Sequence, residues 1–497
     1  MWKPLKPLDN IRGSVIVMAY LGIIVILGVG AAFLVLATGE SRTAERQRLN
    51  TIAFHIAEAG VERALNELRL DFVNDSTNPS WNDGSVNGYS ISSSYSSPYS
   101  TVSFNNGTYL AQWKNDAVIP EDVWVKSTGT INNVSHTVDV YVRMVSLSPW
   151  EYAIFAGKGA SGMLINGNVD IRGSVLVLGK DLNPGDYAID LGGTAELVGN
   201  NYNGLASSLA AKVPALPTTV HNGETVSTLN AELRVKRGLV GLSGSATVGE
   251  AHIAGNAVKE TVDGIYVTDG FGGNQGVSGV HSDNGTTNGY DLGEAVAFPS
   301  LNDPYPGFST YKDYLKATGY VLTSAEATTL SNITPGSNFS YGNANGSVAM
   351  DGSGNLTVSG LVYVDNGGDL NMSKAGSNKT ITYTGKGSLL VTGDVQIDVN
   401  LVTSGNSSYP TNIIGIMTPN RIGFNEASID VMGLFYAEDQ VKVEKQTDIM
   451  GTIVSNYFDM GTNVPAIYQV PQTAENLPPG MIGGDARWYL VVAWIKS

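Results

Sequence analysis

With 497 residues, 42% hydrophobic and only 15% charged, the chain is long enough to fill about two to four domains and has the composition of an ordered protein. Forty-five acidic against 29 basic residues give a net charge of −16, which argues against nucleic-acid binding through the bulk of the chain. Cysteine is absent, so disulfides, thiolate metal sites and cysteine nucleophiles are excluded, and His55, His136, His221, His252 and His281 form no HxH or HExxH pair.

Lys3, Lys6 and Arg12 precede an uncharged run from Val15 to Ala37 in which only Tyr20 carries a hydrogen-bonding side chain. At about 1.5 Å per residue this run reaches roughly 35 Å, enough to cross a hydrocarbon core of about 30 Å. The basic flank favours a cytoplasmic N-terminus, opposed by Arg42, Arg46 and Arg48 on the far side. Helical spacing continues through Leu49, Ile52, Ala53, Ile56, Ala57, Gly60, Val61, Ala64, Leu65 and Leu68, and predicts an amphipathic half over 41–70 that faces a partner. Arg63 and Glu67 are spaced to pair across one turn. One helix over 14–72 is expected, with its transmembrane part at 15–37.

These residues carry a resemblance. The basic leader ending in Arg12-Gly13-Ser14, the apolar helix, and Ala57-Glu58-Ala59-Gly60-Val61-Glu62 resemble the N-terminal region of type IV pilus minor pilins of the PilX type and their type II secretion pseudopilin relatives. The likeness covers about the first 70 residues and rests on the combination, since the Arg-Gly-Ser tripeptide alone is weak. It implies a prepilin-type leader over 1–13, cut by a prepilin peptidase between Gly13 and Ser14. It also implies partners: other pilin subunits through the helix, and an inner-membrane assembly platform. Major pilins of that family carry glutamate at the fifth mature position, where this chain has Met18; a subunit lacking that acid suits a tip or initiating position better than a repeating shaft. An ordinary single-pass anchor with a coincidental Gly-Ser is the competing reading.

From Asn74 to Ser100 the sequence is Ser-, Asn-, Tyr- and Gly-rich and reads as a loop. Strands are predicted at Tyr109–Trp113, Val123–Val125 and Val138–Met144, with Asn106-Gly107 and Asn132-Asn133 as hairpin turns. Ser127-Thr128-Gly129-Thr130 is also similar to the end of a pilin head, so 73–148 is expected to be a small pilin-like β head laid on the helix.

After Pro149 short apolar runs alternate with Gly, Asn and Asp. Gly415, Gly433 and Gly451 lie 18 residues apart, and Asp430-Val431-Met432-Gly433 repeats as Asp448-Ile449-Met450-Gly451. A period near 20 marks a solenoid, and the prediction for 149–497 is a parallel β-helix with further coils at Leu164–Leu178, Leu356–Val364 and Ser388–Val399. The pattern is similar to large β-helix pilin-like proteins and, more weakly, to polymer-forming bactofilins; a Greek-key sandwich is the structural alternative. A helical insertion is predicted at about 303–332, and the aromatic tail Trp488–Ile495 is expected to cap the rod.

No catalytic, metal or cofactor motif emerges. Asp430 and Asp448, joined by Asp394 and Asp398 if the register allows, are a candidate sugar or calcium patch, whereas Asp263, Asp269 and Asp283 lack calcium-loop spacing. The glycine run 270–276 lacks a phosphate-loop context. Asn106, Asn133 and Asn284 fit the Asn-x-Ser/Thr acceptor pattern. Tyr95, Tyr99 and Trp81 are candidate exposed grips for sugar or a surface, and Trp113 and Trp124 candidate core. The fold class is therefore mainly β with one long N-terminal helix, a small antiparallel sheet and a parallel solenoid. The function expected is that of a non-enzymatic filament subunit, at the inner membrane and then in an extracellular filament or at the cell surface, with a surface or polysaccharide as candidate ligand. A membrane-tethered polysaccharide lyase or hydrolase, and an anchored polymer-forming scaffold, are the alternatives.

Overall fold

The structure is a computed structural model and describes residues 11–74, 81–117, 120, 122–146, 148–159, 168–183, 185–221, 223–262, 264–267, 279–282, 297–365, 368–460, 465–483 and 487–496. The first ten residues of the expected leader, Leu164 to Gly167, Asp263, Asp269, the run 270–276, Asp283 and Asn284 lie outside these residues. The chain divides into two compact units, Met1–Val145 with Arg487–Ser497, and Ser146–Ala486.

The first unit is built on a single helix, Ile11–Asn74, 64 residues long. Beside its second half lies a five-stranded sheet in the order Val102–Phe104, Gly107–Asn115, Val123–Ile131, Val134–Ser146, Arg487–Lys496. The first four strands pair antiparallel. Val123–Ile131 alternates strictly between buried and half-buried positions, the period of two that puts Val123, Val125 and Ile131 on the helix side. Two-residue turns make two of the three links between these four strands. Asn105 and Asn106 (φ 48° and 62°) and Asn132 and Asn133 (φ 46° and 60°) all take the left-handed conformation that a type I′ turn needs, so the first hairpin turns on Asn105-Asn106, one residue earlier than predicted. A third such turn, Asn87-Gly88 (φ 47° and 82°), joins Ser85–Val86 to Tyr89–Ser90 inside the stretch expected to be a plain loop.

Two expectations are corrected here. Trp81 is not an exposed grip: it is fully buried, its indole N–H donating to the Leu68 carbonyl at 3.4 Å. The aromatic tail does not cap a rod, because Arg487–Lys496 is the last strand of this five-stranded sheet; the second unit therefore ends at Ala486, not at residue 497. The outer edge of Val134–Ser146 would otherwise expose a row of backbone donors and acceptors, which a returning strand covers.

The second unit is a large sheet whose strands pair mainly in parallel, coil on coil. Ile429–Val443 runs beside Thr447–Asp459 with Asp430 opposite Asp448, Met432 opposite Met450 and Gly433 opposite Gly451. Ile449 then pairs with Ile467, so the 18-residue step recurs once more. Gly415, however, pairs with Leu434 rather than Gly433, so the glycine column breaks there by one residue. Farther out the step grows to the 27 positions between Leu389 and Ile416 and the 58 between Val175 and Leu233. Inward side chains such as Leu401, Val431, Ile449, Ile467, Ile171 and Leu197 stack in one fully buried column.

The winding order is not the chain order. The chain begins this unit in the middle of the stack: Ile154–Gly159 pairs with Thr447–Asp459 (Ile453 opposite Ile154, Val454 opposite Phe155), and Asp170–Arg172 pairs with Ala466–Tyr468. Coils run outward from this seam through Val175–Val177, Glu232–Val235 and Gly264–Val267. In the other direction they run back to Asn355–Val364, beside which Asn338–Gly342 and Gly346–Asp351 form an antiparallel extension. Two helices, Tyr311–Thr318 and Ser324–Leu330, interrupt the strands within 303–332, each with a threonine N-cap. The unit's first and last residues are tied together: the Ser148 hydroxyl donates to the Gly483 carbonyl (3.1 Å) and the buried Trp150 indole to the Ile482 carbonyl (2.7 Å).

Candidate membrane and assembly surface

One helix carries two unlike surfaces. From Val15 to Leu36 sixteen large apolar side chains are 50–72% exposed, Met18 among the most open at 72%. Each is worth about 1.5–3 kcal/mol when removed from water, roughly 25–50 kcal/mol for the set, against a total folding stability of about 5–15 kcal/mol for a typical domain. A surface of that size demands a cover, and this is a helix long and apolar enough to cross a membrane. Gly13 and Ser14 lie in its first turns. Past Ala37 the exposure stays but the chemistry changes: Glu40, Arg42, Glu45, Arg46 and Arg48 form a charged collar, with Glu45 and Arg48 paired at 2.7 Å.

From Leu49 onward the helix is held by its own sheet. Leu49, Ile56, Val61, Ala64 and Leu68 are buried, Ile52 is half-buried, and all pack with Tyr109, Trp113, Val125 and Val140. Contact is close because small residues meet at two points. A side chain on Gly129 would collide with the Ala53 carbonyl and the Ala57 amide, and one on Gly60 would collide with Ser127 and Tyr109. Polar side chains then tie the 81–100 segment to the same helix. Arg63 does not take the expected partner: its guanidinium lies 4.1 Å over the Tyr99 ring and donates to the Tyr109 hydroxyl, while Glu67 accepts from the Asn87 amide at 2.7 Å. Burial raises the Tyr99 hydroxyl above the usual tyrosine range. Tyr95 is likewise engaged, with Lys114 and Lys126 each 5.0 Å from its ring centre. Trp113 is core; Trp124 is half-buried, stacks beside Tyr141 at 4.7 Å and donates to Asp116. Burial, with the hydrogen bond to Asp122 second, pushes Tyr141 up to about 12.

The carboxylates of the coil unit fall into separate places. Asp430 and Asp448 stand opposite each other on adjacent strands; burial raises both, Asp448 to about 6 with the Asp430 charge adding. Asp394 and Asp398 do not join them. They flank Val395–Ile397 on another face, where Asp394 accepts from the Arg421 amide and Asp398 from the Asn425 amide and Gln396. Sequence reasoning missed Arg172, a buried guanidinium that holds Asp170 (2.8 Å) on its own strand, Glu196 (3.1 Å) and Asn201 (2.7 Å) from one later stretch of chain, and Glu250 from another. Only the Asp170 pairing is local; Glu196, Asn201 and Glu250 reach the guanidinium through coil stacking. It is a structural cluster in which burial outweighs the guanidinium at Asp170 and holds that carboxyl up at about 6. Among the described residues no three His, Asp or Glu side chains converge as a metal site.

No family model matches the chain, and no curated protein matches it. Among solved structures, the crystal structure of the competence-associated pilin ComZ from Thermus thermophilus is similar at a TM-score of 0.49 and 19% sequence identity, over 90% of this chain and 97% of that one.

Proposed function

We propose that the chain is a minor pilin-like structural subunit of a type IV pilus or related filament. The observation that carries this reading is the division of one unbroken helix into a bare apolar half and a half buried under its own sheet. A stem of this kind rests in the inner membrane as a single span with its N-terminus in the cytoplasm, then exchanges lipid for the stems of other pilin subunits as an assembly platform draws it out. The coil unit, which follows the fourth strand of the head sheet in the chain and precedes the fifth, is displayed for adhesion or for tip initiation. Its parallel coils are those of a β-helix. Met18 supports a special position: a bundle of apolar stems gains no carboxylate from this subunit to meet a neighbour's terminal amine. The role is structural and assigns no catalytic step or cofactor.

Mass spectrometry of the mature N-terminus tests it. Co-expressed with a prepilin peptidase, the chain should begin at Ser14, and Gly13→Leu should keep residues 1–13. A native chain that retains its first 13 residues beside an active peptidase contradicts the reading.

A further inference from the structure

Four aromatic side chains in the helical insertion serve no column of the coil stack. Tyr305-Pro306-Gly307-Phe308 is a type II turn: Gly307 has φ 82°, and the Phe308 amide donates to the Tyr305 carbonyl at 2.9 Å. Thr310 then caps the helix Tyr311–Thr318, its hydroxyl accepting from the Asp313 amide at 3.0 Å. Turn and cap bring the rings together. Tyr305 lies on Tyr314 with centroids 4.2 Å apart and planes 26° apart, Tyr311 meets Tyr305 edge-on at 5.1 Å, and Phe308 meets Tyr314 edge-on at 5.5 Å. The Tyr311 hydroxyl is anchored on the Gly480 carbonyl at 3.3 Å. Leu315 is the buried residue of this helix; Phe308 stays 38% exposed and the three tyrosines are half-buried.

Size, rim and charge narrow what such a platform can hold. A stable protein interface uses about 20–30 residues a side, and here the cluster is four rings beside the exposed Pro304 and Pro306, with Asn302, Asp303, Ser309 and Asp313 also exposed in the same turn and helix. Asp303 and Asp313 on a chain of net charge −16 disfavour anionic polymers. What matches is a small, flat, uncharged ligand with an apolar face and a hydrogen-bonding edge. The rings are already held by turn, cap and mutual stacking, so little side-chain freedom is lost on binding.

We propose that Tyr305, Phe308 and Tyr314 form a stacking subsite for a neutral hexopyranose unit of a surface polysaccharide. The inference rests on the display role proposed above and assigns it a ligand class. The C–H face of the sugar ring lies on Phe308 and the edge of the tyrosine pair, and its hydroxyls meet the rim of Asn302, Ser309 and Asp313.

Calorimetry of the full-length, detergent-solubilised protein tests the subsite with three probes: hexamers of β-1,4-linked glucose, of N-acetylglucosamine, and of galacturonate. At least one neutral hexamer should bind, the galacturonate hexamer should bind about tenfold more weakly or not at all, and Phe308→Ala should weaken neutral binding about tenfold with an unchanged melting curve. Tyr305→Phe, which keeps the ring, should retain binding. Failure of both neutral hexamers to bind, or wild-type affinity in Phe308→Ala, overturns the subsite. Those failures leave processing at Gly13 and membrane retention untouched, so loss of the subsite is distinguishable from loss of the filament reading.

Discussion

The head sheet and the coil unit differ in how far a strand must look for its partner. In the head, Val102–Phe104, Gly107–Asn115, Val123–Ile131 and Val134–Ser146 pair with the next strand along the chain, two of the three links being two-residue asparagine turns. In the coil unit the nearest parallel partner is 17 or 18 positions away, and at the seam Phe155 meets Val454 across nearly the whole unit. Local pairing needs only the right turn; the seam needs both ends of a long segment to be folded first, and loop closure opposes it.

The largest effect should come from the seam. Phe155 is 1% exposed, and Phe155→Ala is expected to cost about 3–5 kcal/mol by opening a cavity where the two half-stacks join. Hydrogen exchange should rise across 447–468 and 154–177 while the amides of 123–142 keep their protection; loosening of the head instead would erase the contrast. In the head, Gly129→Ala should cost about 2–3 kcal/mol, because the added methyl presses on the backbone of Ala53 and Ala57. Its signature is faster exchange over 49–68 with the coil unit unchanged.

A third effect belongs to the coil register itself. Asp430 and Asp448 are stacked like charges, with Lys379 acting only on Asp430, and Tyr468 facing Asp448 from the next coil; Asp170, the next carboxylate of the column, is instead held by Arg172. Asp448 sits at about 6, above its ordinary value, so its contribution is complete below pH 4 and is lost as the pH rises through 6. Asp448→Asn should match the wild type at pH 4 and exceed it by about 1–2 kcal/mol at pH 7.5, after screening by the solvent the group still reaches. Equal stabilities at both values would mean the pair is not strained. The smallest effect should be local: Asn133→Ala, at φ 60°, should cost about 1 kcal/mol, and Asn133→Gly should recover it.

The same contrast explains what the residues disclose unaided. Helix period and apolar run predict 14–72 against an observed Ile11–Asn74, because both signals are local. The hairpins at Asn132-Asn133 and near Asn106 are legible for the same reason, and the repeat Asp430-Val431-Met432-Gly433 is visible where the coil step is constant at 18. Beyond that step the loops lengthen unequally, so the period disappears although the pairing continues. Trp488–Ile495 reads as a strand, but no residue in it names its neighbour, and its place beside Val134–Ser146 depends on a partner some 340 positions back. The long-range partners of Arg172 and the stacking of Tyr305 on Tyr314 are not legible for the same reason: each is a meeting of side chains set by tertiary or turn geometry.

The central claim is that the bare half of the helix is covered by lipid, and membrane fractionation with an alkaline carbonate wash tests it most directly. The full chain should remain in the pelleted membranes, while a chain lacking residues 1–38 should be released. Full-length protein in the wash supernatant, free of lipid and monomeric, would contradict the account.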